Sequence, residues 1–202
     1  MKHAKRHPLI FGTIILTATG LITRVIGFFY RIYLSRLFGE EGMGIYQLLS
    51  PALSLSFSLT AAGYQTAISK YVAADSAKRP SGNLKPLLAG ISITLPLSLV
   101  TNAILFFSAD PIGIFLLKDH RTVPMLRILS FSVPFAALHA CINGYFYGKK
   151  KASVPALTQL LEQLARVSCV FLVTGADLAE GRTPSINAAV LGLTVGEIFS
   201  ML

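Results

Sequence analysis

GLITRVIGFFYRIYLSRLFGEEG, residues 20–42, decides how this chain is read. It belongs to a long apolar run, yet Arg24, Arg31 and Arg36 interrupt it. A helix that only anchors a protein in lipid has no use for arginine far from its ends. Arg24 and Arg31 stand seven residues apart and so return to nearly the same face of a helix. Thr17, Gly20 and Gly27 fall on that face at three- and four-residue steps, while Leu21, Val25, Ile26, Phe28 and Phe29 cover the remainder. At about 1.5 Å of rise per residue, Arg24 lies roughly 22 Å along the helix from Leu9, past the middle of a bilayer. An arginine there costs about 2.5–3.5 kcal/mol on insertion scales, so it is expected to face a cavity or a partner. An internal salt bridge and an anion site are the two readings. Arg36, off the stripe at the end of the apolar run, is expected to reach the headgroups.

Working outward, the whole chain shares this apolar character. Of its 202 residues 53% are hydrophobic and 13% charged, with a mean hydropathy of +0.63, which excludes an ordinary soluble domain. A bilayer-spanning helix needs about 20 mostly apolar residues. Such runs lie near 9–36, 45–69, 86–108, 123–147, 153–175 and 185–202, and predict an all-α, polytopic six-helix bundle, a single transmembrane domain over 1–202. The last run meets the C-terminus without a polar tail, and a longer parent protein is the expectation.

The net charge of +9 is distributed by connection. Lys2, Lys5 and Arg6 precede the first run; Lys70, Lys78, Arg79 and Lys85 flank the second connection; Lys149, Lys150 and Lys151 fill the fourth. The other connections are acidic or mixed: Glu40 and Glu41, then Asp110, Lys118, Asp119 and Arg121, then Asp177, Glu180 and Arg182. Basic residues favour cytoplasmic loops, so the N-terminus and the even connections are expected inside. The basic excess is topological and gives no nucleic-acid surface. The first run is too long for a signal peptide's apolar region and no A-x-A site follows, so it reads as a retained helix.

Punctuation and packing signals follow the same frame. The stretches 39–42, 75–82, 108–113, 148–153 and 174–185 read as turns from their Gly, Pro, Asp and Ser content. Pro96 and Pro134 fall near the middle of the third and fourth runs and predict kinks, either as packing curvature or as hinges. Ser50, Ser54, Ser58, Ala62 and Thr66 recur every four residues, as do Ala188, Gly192 and Gly196. Such stripes let helices pack closely; a water-lined cavity wall is the alternative for the first of them. Cys141 and Cys169 have no metal-type spacing and read as small core residues.

A second polar group lies in the fifth run. Gln159, Glu162, Gln163 and Arg166 follow a helical 3,4,3 rhythm near mid-membrane, and Glu162 and Arg166 are spaced to pair within their helix. Glu197, Asn143, His139, Gln65 and Gln47 are further inward-facing candidates. Together they outline a polar cavity between helices, with ion coupling as one use of Glu162 and Arg166. No Walker loop or nucleophile elbow is present, and the sequence nominates neither an enzyme's nucleophile nor a cofactor nor a metal site.

TRVIGFFYRIYLSRLFGEEGMGIYQL resembles the first-helix signature of the multidrug/oligosaccharidyl-lipid/polysaccharide exporter superfamily. AGYQTAISKYVAADSA at 62–77 and VPFAALHACINGYFYGKKKASVPALTQLLEQLARV at 133–167 are similar to helices of its polysaccharide-transporter branch, in particular the stage V sporulation protein B group. This resemblance implies the N-terminal lobe of a two-lobed, MATE-like flippase, with a C-terminal lobe as its missing partner. It implies transport of undecaprenyl-diphosphate-linked sugars or peptidoglycan precursors across the bacterial cytoplasmic membrane by alternating access. It also assigns contact with the substrate's diphosphate to Arg24 through the T-R-V-I-G-F match. Arg31 follows G-F-F-Y one residue later than in the lipid II flippases and takes the second such role. A drug or cation antiporter of the same superfamily, a membrane scaffold and an inactive half-transporter are the alternatives.

Overall fold

The computed structural model describes the backbone of residues 8–78 and 84–201, and side chains over 12–76 and 84–201. Lys2, Lys5, Arg6 and Arg79, and the side chain of Lys78, lie outside the described residues. The chain runs α1 (Pro8–Leu48), α2 (Ser50–Phe57), a π-helical turn (Ser58–Ala62), α3 (Gly63–Lys78) and α4 (Lys85–Phe107). It continues through α5 (Ala109–Pro111), a second π-helical turn (Ile112–Leu116), α6 (Thr122–Ser130), α7 (Ser132–Gly148), α8 (Ser153–Ala179) and α9 (Asn187–Met201). Among the described residues there is no strand.

The helices qualify for a membrane in an uneven way. The helical stretch Gly12–Ser76, α4 and α8 are each long and apolar enough to cross one, and α6 with α7 makes a fourth if the bent pair counts as a single span. α9 is apolar but shorter. The chain is thus an all-helical, multi-pass membrane protein, though its spans are less cleanly divided than six separate runs.

The divisions have local causes. α1 holds 41 residues, about 60 Å of helix, twice what a bilayer core needs. It breaks at Gly39, whose φ of 69° and ψ of −174° suit only a residue without Cβ. The fourth run is bent by 40° between α6 and α7, at Phe131 rather than at Pro134. Proline lacks the N–H that would reach the carbonyl four residues back, at Ser130, and its ring crowds that carbonyl, so the break precedes it. The hydroxyls of Ser130 and Ser132 donate to the carbonyls of Arg127 and Leu129, at 2.8 and 2.7 Å. α4 instead runs unbroken through Pro96. Of the stretch 108–113, expected as a turn, Ser108 is a turn residue but 109–113 are helical: Ala109 is fully buried and Ile112 packs on the main core, while Asp110 pairs with Arg127 at 2.5 Å.

Packing joins the helices into one bundle. The main core gathers Ile45, Leu49, Leu105, Val123, Leu126 and Val190. A second cluster sets Tyr30, Leu34 and Met43 of α1 against Val170 and Ala189. α8 packs along both α1 and α9, and α7 lies among α3, α4 and α9. The Ala188–Gly192–Gly196 stripe is a packing seam: a Cβ on Gly192 would stand 3.0 Å from the Arg166 carbonyl, and one on Gly196 3.1 Å from that of Glu162. The stripe in the second run behaves differently, since Ser50, Ser54, Ser58 and Thr66 are exposed. Cys141 is buried in the α3–α7 cluster, as a core residue should be, and Cys169 is half-buried. Phe28, Phe29, Phe107 and Leu172 stand outward, as lipid-facing side chains do.

The connections segregate to the two ends. Arg121 reaches Glu41 at 2.7 Å and Asp119 at 3.1 Å, tying the third connection to the first. Those guanidinium hydrogen bonds hold the Asp119 carboxyl below its ordinary range and push Arg121 upward. Ile186, beyond the fifth connection, packs near Gly42 and Phe38. At the opposite end Gly12 approaches Ala152, and Gly148 abuts the Ser69 carbonyl.

Candidate functional site

The polar residues of α7, α8 and α9 converge because these helices are packed face to face, with small residues at the α8–α9 seam. Glu162 and Arg166, one turn apart on α8, form an ion pair, their side chains 16% and 19% exposed. Arg166 also donates from Nη1 to Oε1 of Gln163 at 3.4 Å, while its Nε is buried without a partner among the described residues. One cavity, of about 270 Å³, opens on the Glu162 side. It is lined by Gln65 from α3, His139 and Asn143 from α7, Gln159 and Glu162 from α8, and Glu197 from α9. A second, of about 200 Å³, lies on the Arg166 side between α1 and α8, lined by Tyr30, Arg31, Tyr46, Gln163 and Arg166. Arg166 and Glu197 further border a 320 Å³ opening with Ser54, Ser56 and Thr60. The sequence outlines a single polar interior; the ion pair stands between its parts.

Within the first cavity, His139 joins the helices. Its Nδ1 lies 2.8 Å from the Ser200 hydroxyl and 3.5 Å from Oε2 of Glu197, and its Nε2 lies 2.7 Å from Nδ2 of Asn143. Ligand-type atoms of His139, Glu162 and Glu197 fall within 4.8 Å of one another. The sequence placed these residues in the interior but did not pair them, and it missed Ser200, Tyr30 and Tyr46. Hydroxyl-bearing residues at helical spacing were the available signal for Ser200, which sits four residues after Gly196 on the packed stripe.

Arg24 and Arg31 occupy one side of α1 and are both exposed. Neither has an ion pair or side-chain hydrogen bond among the described residues, in contrast to Arg166. Arg31 borders the α1–α8 cavity, whereas Arg24 lies on open surface a turn or two away. Arg36 and Gln47 are exposed as well, and Gln47 lines none of these cavities. α1 is held in register by α8: the Tyr33 hydroxyl meets that of Thr174 at 2.7 Å, the Tyr33 ring stacks on Phe171, and Gly27 leaves room for the Gln163 amide.

The profile of the family described as "Polysaccharide biosynthesis protein" matches residues 9–202. The chain belongs to this family. It is 36% identical over 192 residues to stage V sporulation protein B of Bacillus subtilis, covering 95% of this chain and 37% of that protein. It is 27% identical over 179 residues to the lipid II flippase MurJ of the same organism, covering 84% of the chain and 32% of the relative. These likenesses place it in the polysaccharide-transporter branch of the multidrug/oligosaccharidyl-lipid/polysaccharide exporter superfamily. The chain spans about a third of the length of these curated relatives. No solved structure matches it.

Proposed function

We propose that this chain forms the N-terminal, six-span lobe of a MATE-like flippase in the bacterial cytoplasmic membrane, with its N-terminus in the cytoplasm. The substrate is an undecaprenyl-diphosphate-linked oligosaccharide or peptidoglycan precursor serving wall, spore-cortex or polysaccharide synthesis. A second lobe faces this one across the transport path, and rocking of the two exposes the site to each side in turn. The observation that carries the reading is the pair of exposed arginines on α1, unpaired among the described residues in a helix otherwise coated by Leu21, Phe28 and Phe29. A diphosphate carries several anionic oxygens, and guanidinium binds such oxygens through paired, directional hydrogen bonds. Membership of the family and the likeness to a named lipid II flippase support the substrate class.

Arg24 and Arg31 draw the diphosphate, and the remainder of the lipid stays in the bilayer beside the apolar flank of α1. The test is translocation of a lipid-linked precursor by the full-length protein in proteoliposomes. Arg24→Ala should lower the rate at least about tenfold, the cost of one charge-assisted contact of roughly 1.5–3 kcal/mol. Arg24→Lys, which keeps charge but loses the fork, should retain more of it. An unchanged rate in Arg24→Ala would remove the arginine mechanism.

A further inference from the structure

The cluster of His139, Glu162 and Glu197 has no part in the anion site on α1. With both carboxylates counted as ionised and His139 as neutral, Glu162, Glu197 and Arg166 leave the group one positive charge short. Groups facing His139 from the packed helices are Glu162 on α8 and Glu197 on α9; α3 offers the uncharged Gln65, and Tyr147 lies on α7 itself. Arg166 reaches this group through its ion pair with Glu162 and borders the neighbouring cavities. A divalent metal would overshoot that balance beside a guanidinium, in surroundings where unpaired charge is costly. Imidazole nitrogen is also a poor ligand for sodium or potassium, hard cations that prefer oxygen. The cation that suits an imidazole beside a carboxylate is the proton.

The hydrogen bonds around the ring have room for both protonation states. With Asn143 Nδ2 directed at Nε2, that nitrogen accepts and Nδ1–H points toward Ser200 and Glu197. In this arrangement Oδ1 of Asn143 is buried without a partner among the described residues. When His139 gains a proton from cavity water, Nε2 becomes a donor, and a half-turn of the amide presents Oδ1 to it. The same motion satisfies the orphaned oxygen. The carboxylate of Glu197 then faces an imidazolium, and the cluster is neutral.

We infer that His139 and Glu197, joined by Asn143 and Ser200, form a proton-binding site within the membrane that couples proton movement to the transport cycle. This rests on the transport reading above and adds its coupling ion. The proton arrives from water in the cavity and leaves to water, with no covalent change. Binding pulls α9 and α7 together through Glu197 and His139; release leaves the carboxylate uncompensated and favours opening toward solvent.

The experiment is ¹⁵N-histidine NMR of the full-length protein in nanodiscs, with His139→Gln identifying the resonance, combined with the pH dependence of transport. His139 should change between its neutral and protonated states within the pH range over which transport responds. Glu197→Gln, which keeps shape but removes the neighbouring charge, should lower the proton affinity of His139 about tenfold or more. Adding sodium chloride in place of choline chloride should leave the titration unmoved. Transport by His139→Gln should lose its dependence on a pH gradient. Arg24→Ala should leave the titration of His139 intact even where it stops transport, which separates this site from the anion site. A His139 that keeps one protonation state across that range, or one whose titration ignores Glu197→Gln, overturns the proposal. A titration displaced by sodium would also overturn it, in favour of an alkali-ion site. Thermal unfolding of each variant in nanodiscs confirms that the variants read are folded.

Discussion

At the scale of single residues, spacing on one helix carried a good part of the site. Glu162 and Arg166 pair as an i,i+4 relation allows, and Arg24 and Arg31 share a side of α1 as their seven-residue separation requires. What could not be read was the contact of His139 with Glu197 and Ser200, because it depends on how α7 and α9 meet in space. The interior ion pair also makes a clear stability statement. Glu162→Gln leaves a half-buried guanidinium without its counter-charge, with Nε already lacking a partner among the described residues. Breaking a buried pair by removing one member typically costs about 3–5 kcal/mol. Partial exposure reduces that here, and about 1–3 kcal/mol is expected from unfolding in detergent. The double variant Glu162→Gln with Arg166→Leu should recover most of the loss. A double variant as unstable as the sum of the singles would show that the two groups act independently.

At the scale of helices, the apolar runs were legible in position, while their ends and breaks depended on particular residues. Gly39 divides α1 because its backbone adopts positive φ, and Pro134 moves the bend back to Phe131 through the carbonyl it cannot serve. The stretch 108–113 looked like a turn from Asp110 and Pro111, yet burial of Ala109 and Ile112 against the core made 109–113 helical. Tertiary burial outweighs such weak local preferences. The two small-residue stripes, alike in sequence, part company for the same reason: only the α9 stripe meets a neighbouring backbone. Gly192 accordingly has little tolerance. Its Cβ would lie 2.5 Å from Cγ2 of Val170 and 3.0 Å from the Arg166 carbonyl, so the helices must separate to admit any side chain. Overpacking of this kind costs about 1–3 kcal/mol, and Gly192→Leu should reach the upper end, with Gly192→Ala below it. The same substitutions at Gly20, where a Cβ meets nothing within 4 Å, should be near neutral in the same unfolding assay.

At the scale of the molecule, the charge pattern and the packing describe one alternating bundle. Glu41, Arg121 and Asp119 join two connections that the sequence assigns to the outside, and Ile186 brings a third to the same end. Lys149, Lys150 and Lys151 lie at the other, beside Gly148 and the Ser69 carbonyl. Neither packing nor hydropathy chooses which end faces the cytoplasm; the lysines and arginines supply the expectation to be tested, because basic loops resist translocation. Under the proposed function the choice would set from which side a proton reaches His139 and from which leaflet a lipid diphosphate approaches Arg24. Single cysteines at Glu40, Glu180 and Lys151 decide it in the full-length protein carrying Cys169→Ala, with Cys141 left in place because it is buried. A membrane-impermeant maleimide added to intact cells should label Glu40→Cys and Glu180→Cys, and should reach Lys151→Cys only after permeabilisation. The reverse pattern would invert the orientation while keeping the bundle. Labelling of all three from outside would break the alternation itself, and with it the assignment of basic and acidic connections to opposite faces.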